Sequence, residues 1–176
     1  MSSGSITDGA QDFIGAKTFQ AGSSASQHNS AGIINIQTAA AGTGADTTED
    51  TLYTYALPAN ALSAVGKSVR VRVWGSTAAN GDNKTAKLYF GATAFSSGAA
   101  AANAKDWYLE ALVTKTAANT QTACFNGTFN GTALATQVSA PAETDSAAIT
   151  IKATGANGTA AANDLTARCF IVEFLN

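Results

Sequence analysis

Val69-Arg70-Val71-Arg72-Val73-Trp74-Gly75 alternates apolar and polar residues over its whole length. Successive side chains of an extended strand point to opposite faces, so three valines share one face and Arg70, Arg72 and Trp74 the other. A helix would not gather these valines on one side, and β-branched residues suit a pleated, half-buried surface. Downstream, Lys84 to Phe90 alternates in the same way, with Leu88 and Phe90 inward and Lys87 and Tyr89 outward. Between the two runs, Ala79-Asn80-Gly81-Asp82-Asn83 reads as a hairpin-type turn, because Asn-Gly tolerates the positive φ of a tight turn.

The same grammar extends in both directions. Gly32 to Gln37 and Thr51 to Leu57 read as strands, the second stopped by Pro58. Asp106 to Thr114 places Trp107, Leu109, Ala111 and Val113 inward. Thr120 to Phe125 and Leu134 to Val138 are shorter strands, separated by turns at Asn126-Gly127 and Asn130-Gly131. Ala148 to Ala153 precedes a turn at Asn157-Gly158, and Ala167 to Leu175 closes the chain as a nearly continuous apolar run. A strand apolar on both faces belongs in the middle of a sheet or under a partner. Ser96 to Ala104 is a small-residue loop, and no segment reads as a helix. About eight or nine short strands divided by turn signals predict an all-β protein, an antiparallel β-sandwich of jelly-roll or Greek-key type over residues 31–176.

Residues 1–30 are rich in Gly, Ser, Ala and Gln and cannot build a core of their own. They read as an extended N-terminal arm or as a plain disordered tail, and the spaced Phe13, Ile14 and Phe19 favour anchors that dock on a neighbour. Neither a basic region nor an apolar core marks the start as a secretory signal, so synthesis in the cytoplasm is expected. No run approaches the roughly 20 apolar residues of a membrane helix. Cys124 and Cys169 lack CxxC spacing and read as two reduced, partly buried thiols, with a disulfide the less favoured reading.

Of the 176 residues, 45% are hydrophobic but only 12% are charged, so Thr, Ser, Asn and Gly must supply the polar surface. Such short side chains lose little entropy when a partner orders them. Low charge also removes one defence against association, which suggests a surface covered in its working state. The net charge of −2 argues against nucleic-acid binding, which needs a basic patch.

Catalytic chemistry has little to work with. The only histidine, His28, lies in the arm, and one His with two distant Cys cannot close a zinc site. Phosphate-binding glycine loops and a G-x-S-x-G elbow are both missing. Most carboxylates sit in turns, as turn formers. Asp46, Glu49 and Asp50 lack the calcium-loop pattern. Glu110 and Glu173 lie mid-strand, where pairing with Arg70, Arg72 or Arg168 on adjacent strands explains them better than glycosidase chemistry. The Asn-x-Thr triplets at Asn83, Asn126, Asn130 and Asn157 are expected by chance in so Asn- and Thr-rich a chain. No enzyme activity, cofactor or metal is therefore expected.

The outward set Arg70, Arg72, Trp74, Tyr89, Tyr108 and Leu112 is more informative. Trp, Tyr and Arg are enriched at interfaces because each joins a large contact area to a polar tip. Three readings stay open for these residues: a subunit interface, coverage by the same chain's loops or arm, and a glycan-stacking surface.

Tyr55 to Leu62 (YALPANAL), the Val69 to Gly75 strand, Ala78 to Thr85 (AANGDNKT) and Lys87 to Gly91 (KLYFG) together resemble a group of small tailed-bacteriophage virion proteins. The likeness continues more weakly through Trp107 to Thr114 and Val172 to Phe174, over about two-thirds of the chain. It implies a jelly-roll-like domain in a structural component of the virion, trimeric around the sandwich. Domains of that kind serve in head decoration, head fibres and tails. The resemblance transfers no catalytic residue. The expected role is a capsid decoration (cement) protein on the virion surface, a homotrimer that contacts the major capsid protein or other virion proteins. Phe13, Ile14 and Phe19 are the expected capsid anchors. The other role considered is a fibre module that binds a receptor or glycan.

Overall fold

A computed structural model of the chain describes residues 32–176, in which thirteen strands and no helix occur. The arm lies outside the described residues, and with it Phe13, Ile14, Phe19 and His28. Strands β1 (Gly32–Gln37), β2 (Ala41–Gly42), β3 (Glu49–Leu57), β4 (Ser68–Thr77) and β5 (Asn83–Phe90) are followed by β6 (Thr93–Ser96) and β7 (Ala100–Ala101). Then come β8 (Asp106–Ala117), β9 (Thr120–Phe129), β10 (Thr132–Ala133), β11 (Gln137–Ser139), β12 (Ile149–Asn157) and β13 (Leu165–Phe174).

Two antiparallel sheets form. The larger runs β1-β13-β4-β8-β9-β10, with β2 beside β13 and β11 beside β9, and the smaller runs β3-β12-β5-β6, with β7 beside β5. The pairs are nested: β1 with β13, β3 with β12, β4 with β8, β5 with β6. Successive pairs fall in alternate sheets, and β13·β4 and β12·β5 close the ribbon laterally. That winding is the connectivity of a jelly roll. The apolar closing strand β13 lies inside the larger sheet, flanked by β1 and β4.

Alternation sets what fills the space between the sheets. Val69, Val71 and Val73 are fully buried, as are Leu88, Phe90, Leu109 and Val113. Phe95 of β6 stacks on Phe125 of β9 with centroids 5.5 Å apart, and Tyr53 of β3 stacks on Phe170 of β13 at 5.8 Å. Each aromatic pair ties one sheet to the other. The Tyr53 hydroxyl donates to the carbonyls of Ala39 and Ala167 at 2.6 and 3.2 Å, so its polar tip is satisfied inside the core.

Two turn readings change. The Asn80-Gly81 segment does not close a hairpin: β4 belongs to the larger sheet and β5 to the smaller, so it carries the chain across the sandwich. Asn126-Gly127 is no turn either, because β9 continues through it to Phe129. A Cβ at Gly127 would lie 2.3 Å from the Tyr108 carbonyl oxygen, so glycine there lets β8 and β9 approach. Asn130-Gly131 is a true turn, with φ of 53° and 74°, and it joins Phe129 to its partner Thr132.

Candidate functional site

The outer face of the larger sheet collects what sequence alternation turned outward. Pairing aligns Ile33, Glu173, Arg70, Leu112, Cys124 and Val138 in one row across β1, β13, β4, β8, β9 and β11. A second row holds Ile36, Ile171, Arg72, Glu110 and Asn126, and a third Cys169, Trp74, Tyr108 and Thr128. At about 4.8 Å per strand, the first row spans roughly 24 Å. Of the seven exposed large hydrophobic residues among those described, five lie on this face: Ile33, Ile36, Trp74, Leu112 and Val138. Ile33, Ile36 and Val138 are more than half exposed, so bare apolar side chains recur across the width of the face, among its paired polar groups.

Its charges are consumed internally. Glu173 stands opposite Arg70 and bridges it to Arg72, two residues further along the same face of β4. The Arg70 Nε and Arg72 Nη2 groups donate to its two carboxylate oxygens at 2.7 and 2.8 Å. The Tyr108 hydroxyl donates to Glu110 Oε2 at 2.7 Å, and burial together with that carboxylate holds the phenol well above its ordinary range. Two arginines and two glutamates cancel, leaving hydrogen-bonded polar groups among exposed apolar ones. Apolar area with charge neutralised inside it is what a protein interface core requires.

The structure brings together Arg70, Arg72, Trp74, Tyr108 and Leu112 but separates Tyr89 from them. Tyr89 lies on β5, on the outer face of the smaller sheet. Its hydroxyl donates to Glu49 Oε1 at 2.6 Å, and the Lys152 ammonium sits 4.6 Å from its ring centroid. Glu49 also pairs with Lys87 and accepts from the Thr154 hydroxyl at 2.7 Å. Burial pushes the Glu49 carboxyl up, but Lys87, Tyr89 and Thr154 outweigh it and lower it to about 2. Glu173 takes the arginine partners expected for it, whereas Arg168 Nε donates to Ser76 Oγ at 3.2 Å.

Several members of the face were not legible as such. Ile33, Ile36 and Ile171 join it only through the pairing of β1 with β13, and Val138 only through that of β11 with β9. Cys169 and Cys124 face the same way but are separated by β4 and β8. Three strand steps across and four residues along set them roughly 19 Å apart, beyond the ~7 Å limit for a disulfide, and both are free.

Two buried polar clusters close the ends of the sandwich. Where β4 begins, Lys115 Nζ pairs with Asp145 Oδ2 at 2.7 Å, and Asn119 N and Gln121 Nε2 donate to the same carboxylate. Burial raises the Asp145 carboxyl, and these donors overcome it to leave it below the usual range. Where β4 ends, the buried Lys84 Nζ donates to Asn80 Oδ1 and to the Asp82 carbonyl, and Asn80 Nδ2 donates to the buried Asp164. Among the described residues no three His, Cys, Asp or Glu side chains converge as metal ligands. Asp46 and Asp50 direct their oxygens to the backbone N–H groups of Thr48 and Gly44.

Sandwich and face together define a jelly-roll module with exposed apolar residues gathered on one outer face. Compared with known proteins, the chain matches no family model and no curated protein.

Proposed function

We propose that this chain is a non-enzymatic structural protein of a tailed-bacteriophage particle, a capsid decoration protein that binds the outer shell as a homotrimer. The outer face of the larger sheet is its subunit interface, and Arg70, Arg72, Trp74, Tyr108 and Leu112 lie within it. The observation that carries this reading is the concentration of exposed Ile33, Ile36, Trp74, Leu112 and Val138 on one charge-neutral face. The phage assignment rests on the resemblance of the YALPANAL, AANGDNKT and KLYFG segments. Adhesion is the mechanism: subunits bury the apolar face against one another, and the arm, through Phe13, Ile14 and Phe19, crosses joints in the shell. Burying such joints resists expansion of the shell by the DNA packed inside.

Removal of residues 1–30 tests the division of labour. The truncated chain is expected to stay folded and trimeric but to lose binding to undecorated capsids. Undiminished capsid binding would remove the arm from the mechanism. The exposed Trp74 beside Tyr108 favours one second reading, a fibre module that stacks a sugar on the indole. A glycan-array signal lost in Trp74→Ala without loss of the trimer would establish that reading in place of the first.

A further inference from the structure

The AANGDNKT segment holds an arrangement that neither the crossover nor the adhesive face requires. Lys84 is 1% exposed and Asp164 2% exposed, so an ammonium and a carboxyl are both buried at the end of the sandwich. Asn80 lies between them. Its Oδ1 accepts from Lys84 Nζ at 2.5 Å, and its Nδ2 donates to Asp164 Oδ1 at 2.7 Å. Given a C=O length of about 1.23 Å, Nζ stands roughly 3 Å from the Asn80 Cγ carbon, within the ~3–3.5 Å of a near-attack arrangement. Asp164 Oδ2 is buried and has no hydrogen-bond partner. An amine, a carboxamide and a carboxyl group thus lie in line, the two outer groups buried and Asn80 half-buried between them.

We propose that Lys84 and Asn80 form an intramolecular isopeptide bond, with Asp164 as the proton shuttle. Asn80 bridges the two groups, so the first proton is relayed through its carboxamide: Lys84 Nζ gives one to Oδ1 as Nδ2 gives one to Asp164 Oδ1, and the carboxamide returns to its amide form, leaving a neutral amine and a neutral acid. Rotation about the Asn80 Cβ–Cγ bond turns the carboxamide face toward Nζ. The Nζ lone pair then forms a bond to Cγ, and the Cγ–Nδ2 bond breaks. Asp164 delivers its proton to the leaving Nδ2 and takes one from Nζ, so the products are a secondary amide and ammonia. The ammonia leaves as ammonium with the Asp164 proton, and the carboxylate is restored. No oxidant, metal or cofactor enters the balance. The bond would lock the crossover between β4 and β5, one of the connections that join the two sheets at this end.

Intact-mass measurement of the purified full chain decides the matter. The expected mass is that of the sequence less one ammonia, with no tryptic cleavage after Lys84 and a fragment spectrum that joins Asn80 to Lys84. Asp164→Asn keeps a hydrogen-bond acceptor for Asn80 but removes the shuttle, and it is expected to show the full mass with an unchanged far-UV spectrum. Lys84→Arg keeps the charge without the nucleophile and is also expected at full mass. A wild-type chain of full mass overturns the proposal. So does an ammonia deficit that persists in Lys84→Arg, which would mark a succinimide at Asn80-Gly81 instead.

Discussion

The two outer faces of the sandwich are made by the same alternation and differ in what they offer. On the larger sheet, Ile33, Ile36, Trp74, Leu112 and Val138 are exposed, while Glu173 pairs with both arginines between them and Glu110 accepts from Tyr108. On the smaller sheet, Thr54, Lys152 and Tyr89 form one row and Thr154 and Lys87 another, with Glu49 gathering Lys87, Tyr89 and Thr154. None of the exposed large hydrophobic residues is on that sheet's outer face. A solvated face keeps polar groups that water can reach, and a covered face neutralises its charge and leaves apolar area bare. The difference is what motivates the proposal that the larger sheet is the adhesive one and the smaller faces solvent.

Charge placed on each face should separate them most sharply. Ile36→Asp combined with Leu112→Asp is expected to weaken self-association on the order of a hundredfold or more, read by sedimentation. The same pair should change the stability of the monomer by only about 0.5 kcal/mol, because both positions are exposed. Thr54→Asp with Thr150→Asp, exposed on the smaller sheet, should leave association unchanged.

Glu173→Gln comes next. It leaves Arg70 and Arg72 without their shared carboxylate, with an expected loss of about 1–2 kcal/mol in denaturant unfolding. The face then carries net positive charge, so association should also weaken and recover as salt is added.

The smaller sheet should respond to acid through Glu49, not through assembly. Its carboxyl is lowered to about 2 in the folded chain from an ordinary 4.5, so the unfolded chain binds the proton first. Stability from this group is complete above pH 4.5 and is lost as pH falls toward about 2. With partial exposure screening the interaction, the loss is about 1 kcal/mol. Glu49→Gln should flatten that part of the pH profile and leave association untouched. Tyr89→Phe is the mildest change, removing one exposed hydrogen bond for about 0.5 kcal/mol or less in thermal unfolding.

Strand identity was legible because period-two alternation is local: β4, β5 and β8 could be read residue by residue, with Trp107 and Leu109 placed inward. The short β2, β6, β7 and β10 carry too few residues to show a period. Sheet membership was not legible at all. Alternation distinguishes inside from outside but not one sheet from the other, so Tyr89 reads as outward like Trp74 although it lies on the other sheet. A turn signal likewise says that the chain bends, not whether the next strand pairs with the last, so Asn80-Gly81 reads as a hairpin where the chain crosses between sheets. Ile33 and Glu173 meet from opposite ends of the chain, a pairing no local pattern encodes.

The central claim is that the outer face of the larger sheet is covered by copies of the same chain. Sedimentation equilibrium of the full chain at micromolar concentration tests it most directly, with Trp74 shielding followed by fluorescence quenching. The account predicts a species three times the 17.7 kDa chain mass with Trp74 protected from a soluble quencher. A monomer with a fully accessible Trp74 would contradict it.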